Sequence, residues 1–236
     1  MDNMTTRVDT KAVVTYNSNN KIKSMGGISG TTNNNDVDYM TGQDIKFFNL
    51  CSTDAPNALL CVNTVDYTVA HLGTDYNALH FACKNTVNEV CAVYDLIVAL
   101  IDKGMNINHP GLCNNTPLVV AFKYGNEELC FRLLARLDID VNIRDDDGQT
   151  FLEMVINHGS TKLFNRLMLK HDLDTKYSVE HYHLDPLYLA VKKGFKPAVK
   201  SLKASRLALY GPNFKDTLIN LAKDNRYEHI IPLLID

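Results

Sequence analysis

Five short segments of the chain repeat one order of polar, apolar and small residues. Each begins with Thr, Asp or Asn and carries Leu or Ile at its third position, and most end on Ala at the sixth. The segments are residues 77–82, 116–121, 150–155, 185–190 and 217–222, and their starts are 39, 34, 35 and 32 residues apart. A polar residue before an apolar periodic run is typical of a helix N-terminus. The pattern therefore predicts five helices at a nearly constant spacing.

A second apolar pattern follows these segments at a fixed offset. Apolar residues recur thirteen, fourteen, seventeen and eighteen positions after a segment starts, which is the spacing of one helix face. They are Leu129, Cys130, Leu133 and Leu134, then Leu163, Phe164, Leu167 and Met168, and finally Ile230, Ile231, Leu234 and Ile235. The fourth unit breaks the pattern at Lys203, and the first unit fits only with an inserted loop around residues 86–92. The sequence thus predicts five helix pairs.

Turn and cap residues agree with this division. Thr116, Thr150, Asp185 and Thr217 are predicted N-caps, and Pro117 and Pro186 occupy first helical positions. Gly125, Gly159 and Gly194 each lie nine positions after a cap, where the turn between paired helices is expected. Asp147-Gly148 predicts a tight turn just before Thr150.

The repeated segment resembles the T-P-L-H-x-A signature of the ankyrin repeat. The resemblance implies an all-α ankyrin-repeat solenoid of about five repeats joined by β-hairpin-like fingers. We expect an Asn-rich disordered tail over 1–38, a helical N-terminal cap or degenerate repeat over 39–76, and ankyrin repeats over 77–236. The expected repeats are 77–115, 116–149, 150–184, 185–216 and 217–236. Only the first segment keeps the signature His, as His80, and only two keep the Pro.

Composition and charge limit the possible partners and the possible location of the protein. The chain has 236 residues, a net charge of −3 and a pI near 6.2, which favours neither nucleic acid nor an anionic membrane as a partner. No apolar run is long enough to span a membrane, and no Sec-type signal peptide is visible. The six cysteines form no C-x-x-C pair, so we expect reduced thiols and a cytoplasmic location.

Catalytic signatures are also missing from the sequence, so we expect no enzyme and no cofactor. His181 and His183 could ligate zinc, and Asp145-Asp146-Asp147 could suggest calcium. The histidines are better explained as part of a long contact finger, and the aspartates as a solvated finger tip that lacks the ligand spacing of a calcium loop. We therefore expect no metal site.

Candidate partner-binding residues lie at two kinds of position. The first kind lies seven or eight residues after a cap, at the end of a first helix, and comprises Lys84, Lys123, Tyr124, His158, Lys192 and Lys193. The family resemblance places this helix end beside a groove, near Tyr188. The long finger supplies Tyr177, His181, Tyr182 and His183. Aromatic side chains beside positive charge suit an acidic or helical epitope on a protein partner. Solvation of a helix end explains the lysines equally well.

The family resemblance adds two further expectations. Asn108 and Asn142, each after a β-branched residue at a finger tip, resemble sites that an asparaginyl hydroxylase modifies in many ankyrin proteins, and Asn142 is the better candidate. The divergent repeats resemble those of effectors from intracellular bacteria and large DNA viruses. The expected function is a non-catalytic protein–protein interaction module, acting as a host-directed effector delivered without a Sec-type signal. The alternatives are a substrate-docking part of a larger enzyme and an inhibitor that masks a transcription or signalling protein.

Overall fold

A computed structural model describes residues 42–64, 75–86, 89–175 and 185–235. The predicted tail and the finger residues 176–184 lie outside these ranges. The chain divides into two compact units, which we call unit 1, up to Asn126, and unit 2, from Glu127 onward.

The described residues form twelve α-helices. They are α1 (Gly42–Thr53), α2 (Ala55–Cys61), α3 (Ala78–Lys84), α4 (Val90–Asp102), α5 (Pro117–Lys123), α6 (Glu127–Leu133), α7 (Phe151–His158), α8 (Thr161–Leu167), α9 (Pro186–Lys192), α10 (Lys196–Tyr210), α11 (Pro212–Asp224) and α12 (Ile231–Ile235). The described ranges contain no multi-residue strand, and the finger before α7 contains an isolated antiparallel bridge between Arg144 and Thr150. The all-α repeat architecture predicted from the sequence is confirmed.

Unit 1 is built from stacked helix pairs. Helix α1 packs on α3 and α3 packs on α5, while α2 packs on α4. Phe47, Leu79 and Leu118 fill the interior of the first-helix stack and are almost completely buried. The pair α1–α2 thus stacks in the same way as the predicted repeats that follow it, although the sequence there lacks the repeated segment.

Unit 2 is also built from stacked helices. Helices α7, α9 and α11 stack in order, and α8 contacts both α6 and α10. Leu133, Phe164 and Leu187 are fully buried, and Ile230 and Leu234 bury the inner side of the last helix against the unit. These are the positions that the two apolar patterns assign to the core.

Most of the predicted caps are confirmed. The Thr116 hydroxyl accepts a hydrogen bond from the Val119 N–H, and the Asp185 carboxylate accepts one from the Leu187 N–H. Thr150 forms a reciprocal capping box with Glu153, whose carboxylate accepts the Thr150 N–H at 2.5 Å. Asn77 forms a similar box with His80. Each cap satisfies N–H groups that a helix start leaves without partners.

The predicted cap at Thr217 is wrong. Helix α11 begins at Pro212, and the Thr217 hydroxyl donates to the Asn213 carbonyl within that helix. Gly211 alone separates α10 from α11, so this junction has no finger. Pro212 at the first helical position starts the helix six residues earlier than the repeated segment suggested, because its fixed φ and missing N–H suit that position.

The predicted insertion in the first unit has a different form from the one expected. Helix α4 already begins at Val90, so only residues 85–89 separate α3 from α4. The remaining extra residues, which include Ala92, extend α4 to 13 residues, compared with seven in α6 and α8. The long first pitch is therefore accommodated by a short loop and an additional turn of helix.

Candidate protein-binding surface

The C-terminal ends of α3 and α5 bring a lysine and three aromatic rings together in unit 1. The Lys84 ammonium lies 4.5 Å from the ring centroid of Tyr76, 4.8 Å from that of Phe81 and 5.7 Å from that of Tyr124. Cations at such distances are attracted to the ring faces. Burial lowers the pKa of Lys84, since its stem lies among the rings, while Tyr124 remains 51% exposed.

A second lysine joins this cluster through an amide. The Lys123 ammonium donates to Asn115 Oδ1 at 2.7 Å, and the Asn115 side chain also hydrogen-bonds to Tyr76. Burial raises the pKa of the Tyr76 hydroxyl, and this hydrogen bond lowers it in part. We call Tyr76, Phe81, Lys84, Lys123 and Tyr124 the Tyr–Lys patch. Lys123 and Tyr124 are exposed, and the other three are partly exposed.

A buried histidine fixes the base of the Tyr–Lys patch. The His80 ring stacks on Tyr76 with its centroid 4.7 Å away and an angle of 3° between the rings. Its Nε2 lies 3.1 Å from the carbonyl oxygens of both His109 and Asn115, and Nδ1 lies 3.1 Å from the Asn77 N–H nitrogen. The neutral tautomer with Nε2 protonated serves all three groups. His80 therefore ties the start of α3 to the loop before α5, and so positions Tyr76.

Unit 2 contains the other predicted groove residues that the structure describes. His158 ends α7 and is exposed, while Lys192 and Lys193 are exposed at the end of α9. Tyr188 lies earlier in α9 and is half-buried. The predicted finger contacts Tyr177, His181, Tyr182 and His183 lie outside the described residues.

The two candidate hydroxylation sites sit in similar finger turns. The Asn108 N–H donates to Asn106 Oδ1, and the Asn142 N–H donates to Asp140 Oδ1, both at 2.9 Å. The Asn142 side chain also bridges to the next finger, donating to the Asp172 carbonyl and accepting the Asp174 N–H, both at 2.8 Å. The Asn142 amide therefore helps to hold neighbouring fingers together.

A buried ion pair in unit 2 was not predicted from the sequence. Arg206 Nε lies 3.3 Å from Asp185 Oδ2, and both side chains are at most 5% exposed. The Tyr210 hydroxyl donates to the same carboxylate at 3.1 Å. Burial raises the pKa of Asp185, although hydrogen bonds from the Leu187 N–H and the Tyr210 hydroxyl and the charge of Arg206 partly oppose this rise. Burial and the nearby Asp185 carboxylate raise the pKa of Tyr210 to about 12. Arg206 occupies the core face of α10 together with Ala198, Val199 and Leu202.

Metal-binding clusters and membrane spans are not found among the described residues. In the ranges that the structure describes, no three His, Cys, Asp or Glu side chains are arranged to hold a metal ion. None of the helices in those ranges combines the length and apolar character required to cross a bilayer.

Comparison with known proteins agrees with the geometry. Residues 50–145 match the family model described as ankyrin repeats (3 copies), which covers the region from the end of α1 to the finger after α6. No curated protein sequence matched the chain. The helix pairs continue in the same style through α7–α8 and α9–α10, beyond the matched region. Residues 50–145 therefore consist of ankyrin repeats.

Proposed function

We propose that the chain is a non-catalytic protein-binding module. The observation that carries this proposal is the Tyr–Lys patch, a set of aromatic and cationic side chains exposed at the first-helix ends of recognised ankyrin repeats. Ankyrin repeats generally mediate protein–protein binding. Aromatic side chains contribute much of the binding free energy at protein interfaces, and neighbouring charge sets approach rate and specificity.

The proposal is tested by measuring whether the chain binds a protein partner and whether it leaves that partner chemically unchanged. The whole chain is immobilised, and captured proteins are identified, purified and titrated back by calorimetry. We expect saturable one-to-one binding, with the partner's mass unchanged after prolonged incubation. If no purified protein bound, or if the chain chemically altered what it bound, the proposal would fail.

A second contact region in unit 2 belongs to this proposal. Lys192 and Lys193 are exposed at the end of α9, and the segment before α9 in the sequence, predicted to form a long finger, carries Tyr177, His181, Tyr182 and His183. Lys192→Glu with Lys193→Glu is expected to slow association with an acidic partner, and to slow it more at low salt because screening is weaker there. Lys200→Glu, an exposed lysine on α10, is the matched control. Equal association rates for both variants would remove unit 2 from the interface.

We further propose that the module acts in the cytoplasm, as a host-directed effector delivered without a Sec-type signal. All six cysteines are free thiols, which supports a reducing compartment. Fractionation of cells that make the tagged chain tests the location, and recovery in a secretory compartment would contradict it. Capture from host extract, compared with capture from the extract of the source organism, tests the effector role.

Hydroxylation of Asn142 is also proposed. The amide must leave its bonds to Asp172 and Asp174 to be modified, so the reaction requires local opening of the finger. Mass spectrometry after co-expression with an asparaginyl hydroxylase tests this. Unmodified Asn142 would reject the proposal.

A further inference from the structure

We infer that the Tyr–Lys patch of unit 1 is a docking site for an acidic peptide segment, in which a carboxylate pairs with Lys84 and an apolar side chain packs on Tyr124. This inference rests on the proposed protein-binding function and names the chemistry of the partner.

The charge of Lys84 is the first argument. Its ammonium is held by ring faces, and within the described ranges no carboxylate lies at ion-pair distance from it. By contrast, the Lys162 ammonium donates to the Glu128 carboxylate at 2.5 Å. A cation fixed by aromatic rings keeps its positive charge available to an external anion. It is also preorganised, since the rings already restrict the side chain.

The apolar surroundings are the second argument. Tyr124 is 51% exposed, and its ring centroid lies 5.7 Å from the Lys84 ammonium. The ring centroids of Tyr76 and Phe81 lie 4.5 and 4.8 Å from the same ammonium. A carboxylate brought against Lys84 would be partly shielded from water by these side chains, and shielding strengthens the attraction between the charges.

The number of cations selects a peptide as the occupant. The patch supplies two ammonium groups, Lys84 and Lys123, in a chain whose net charge is −3. Nucleic acid needs an extended basic surface, because its affinity comes from many phosphate contacts. Two cations flanked by aromatic rings suit one or two carboxylates with a neighbouring apolar side chain.

The experiment selects peptides on the folded whole chain. A library of random 15-residue peptides is displayed on phage and panned against the wild-type protein, and one recovered peptide is synthesised with a fluorophore for anisotropy titration. We expect recovered sequences rich in Asp and Glu next to aromatic or aliphatic residues. Lys84→Met and Tyr124→Ala are each expected to weaken binding of this peptide at least tenfold, while Lys84→Arg keeps most of the affinity because it restores the cation.

Lys103→Met is the matched control, because Lys103 is an exposed lysine of unit 1 outside the patch. It should leave the affinity unchanged. Circular dichroism confirms the fold of each variant. If Lys84→Met were unfolded, replacing the Asp and Glu residues of the peptide with Asn and Gln would test the charge on the folded wild type, where an unchanged affinity would reject the ion pair.

Several results would overturn the inference. These are recovery of peptides without acidic residues, recovery of no peptide, equal affinities of Lys84→Met and Lys103→Met, and tighter binding of a DNA duplex or inorganic phosphate than of the selected peptide. If the capture experiment finds a partner whose affinity does not depend on Lys84, the protein-binding function stands and only this site is rejected. If that experiment finds no partner, the proposed function itself fails.

Discussion

Replacing His80 with Phe should change both the stability of unit 1 and its dependence on pH. The ring can still stack on Tyr76, but the donor to the His109 carbonyl and the acceptor for the Asn77 N–H are lost. The Asn115 carbonyl keeps its bond from the Gly111 N–H at 3.0 Å. Each buried group that loses its partner costs about 1–3 kcal/mol, so the free energy of unfolding at pH 7 should fall by about 2–6 kcal/mol.

The pH dependence follows from the buried position of the ring. Burial, reinforced by the nearby His109, lowers the pKa of His80 from 6.5 to about 3. If Nδ1 were protonated, it could donate to Asn77 Oδ1, which lies 2.7 Å away, but it could no longer accept the hydrogen bond from the Asn77 N–H. The cost of burying the charge outweighs this exchange, because the residue is fully buried.

The direction of the effect is therefore fixed. The unfolded chain binds a proton at His80 near pH 6.5, whereas the folded chain does so only near pH 3. The stabilisation is complete above pH 6.5 and is lost as the pH falls toward 3, by about 1.4 kcal/mol per pH unit and roughly 5 kcal/mol in all. His80→Phe lacks this titration, so its stability should fall less steeply over the same range.

Urea unfolding followed by circular dichroism between pH 4 and pH 7.5 measures both effects. Carboxylates titrate in wild type and variant alike, so the difference between their slopes isolates His80. His171→Gln, which alters an exposed histidine, is the control and should follow the wild-type curve. Identical slopes for wild type and His80→Phe would refute the reasoning. If the variant does not fold, an NMR titration of the wild type replaces it, and a His80 ring that protonates near pH 6.5 would refute the reasoning equally.

Three further predictions concern unit 2, each measured by urea unfolding. Leu133→Ala removes a fully buried side chain and should cost about 2–5 kcal/mol, so an unchanged midpoint would reject the core assignment. Gly194→Ala places a Cβ 2.7 Å from the Tyr227 ring at a φ of +66°, so it should cost more than Gly159→Ala, which has similar φ and open space; equal losses would contradict the close contact. Asp185→Ala leaves Arg206 buried without its carboxylate and should cost about 3–5 kcal/mol, part of which Asp185→Ala with Arg206→Met should recover; no recovery would mean that the ion pair is not the cause.

Local signals made most of the fold predictable. Thr116, Thr150 and Asp185 cap helices as expected because a cap depends on residues only two or three positions away. The error at Thr217 has the same local origin. The segment that begins there has the apolar spacing of a first helix, but Gly211-Pro212 provides a stronger start signal further upstream.

The candidate site was predictable only in part. Lys84 lies seven residues after Asn77 and Tyr124 lies eight after Thr116, so both were visible in the sequence at the end of a first helix, and the structure brings the two side chains together. Tyr76 was missed because it lies outside the repeated segment and its contact with Lys84 depends on the fold. Phe81 lies three residues before Lys84 in α3, a helical spacing that could have indicated the contact. Arg206 was missed for another reason: a lone charged residue in an amphipathic helix is normally exposed, and its burial depends on Asp185, the N-cap of α9.

The central claim is that the chain binds a protein through the first-helix ends of unit 1, and hydrogen exchange tests it most directly. Amide exchange of the whole chain is followed by mass spectrometry, alone and saturated with the partner obtained by capture. The account predicts slowed exchange on binding over residues 76–86 and 111–126, which carry the Tyr–Lys patch, with α2 and α4 unchanged. Slowed exchange confined to α2 and α4, or unchanged exchange throughout unit 1, would contradict it.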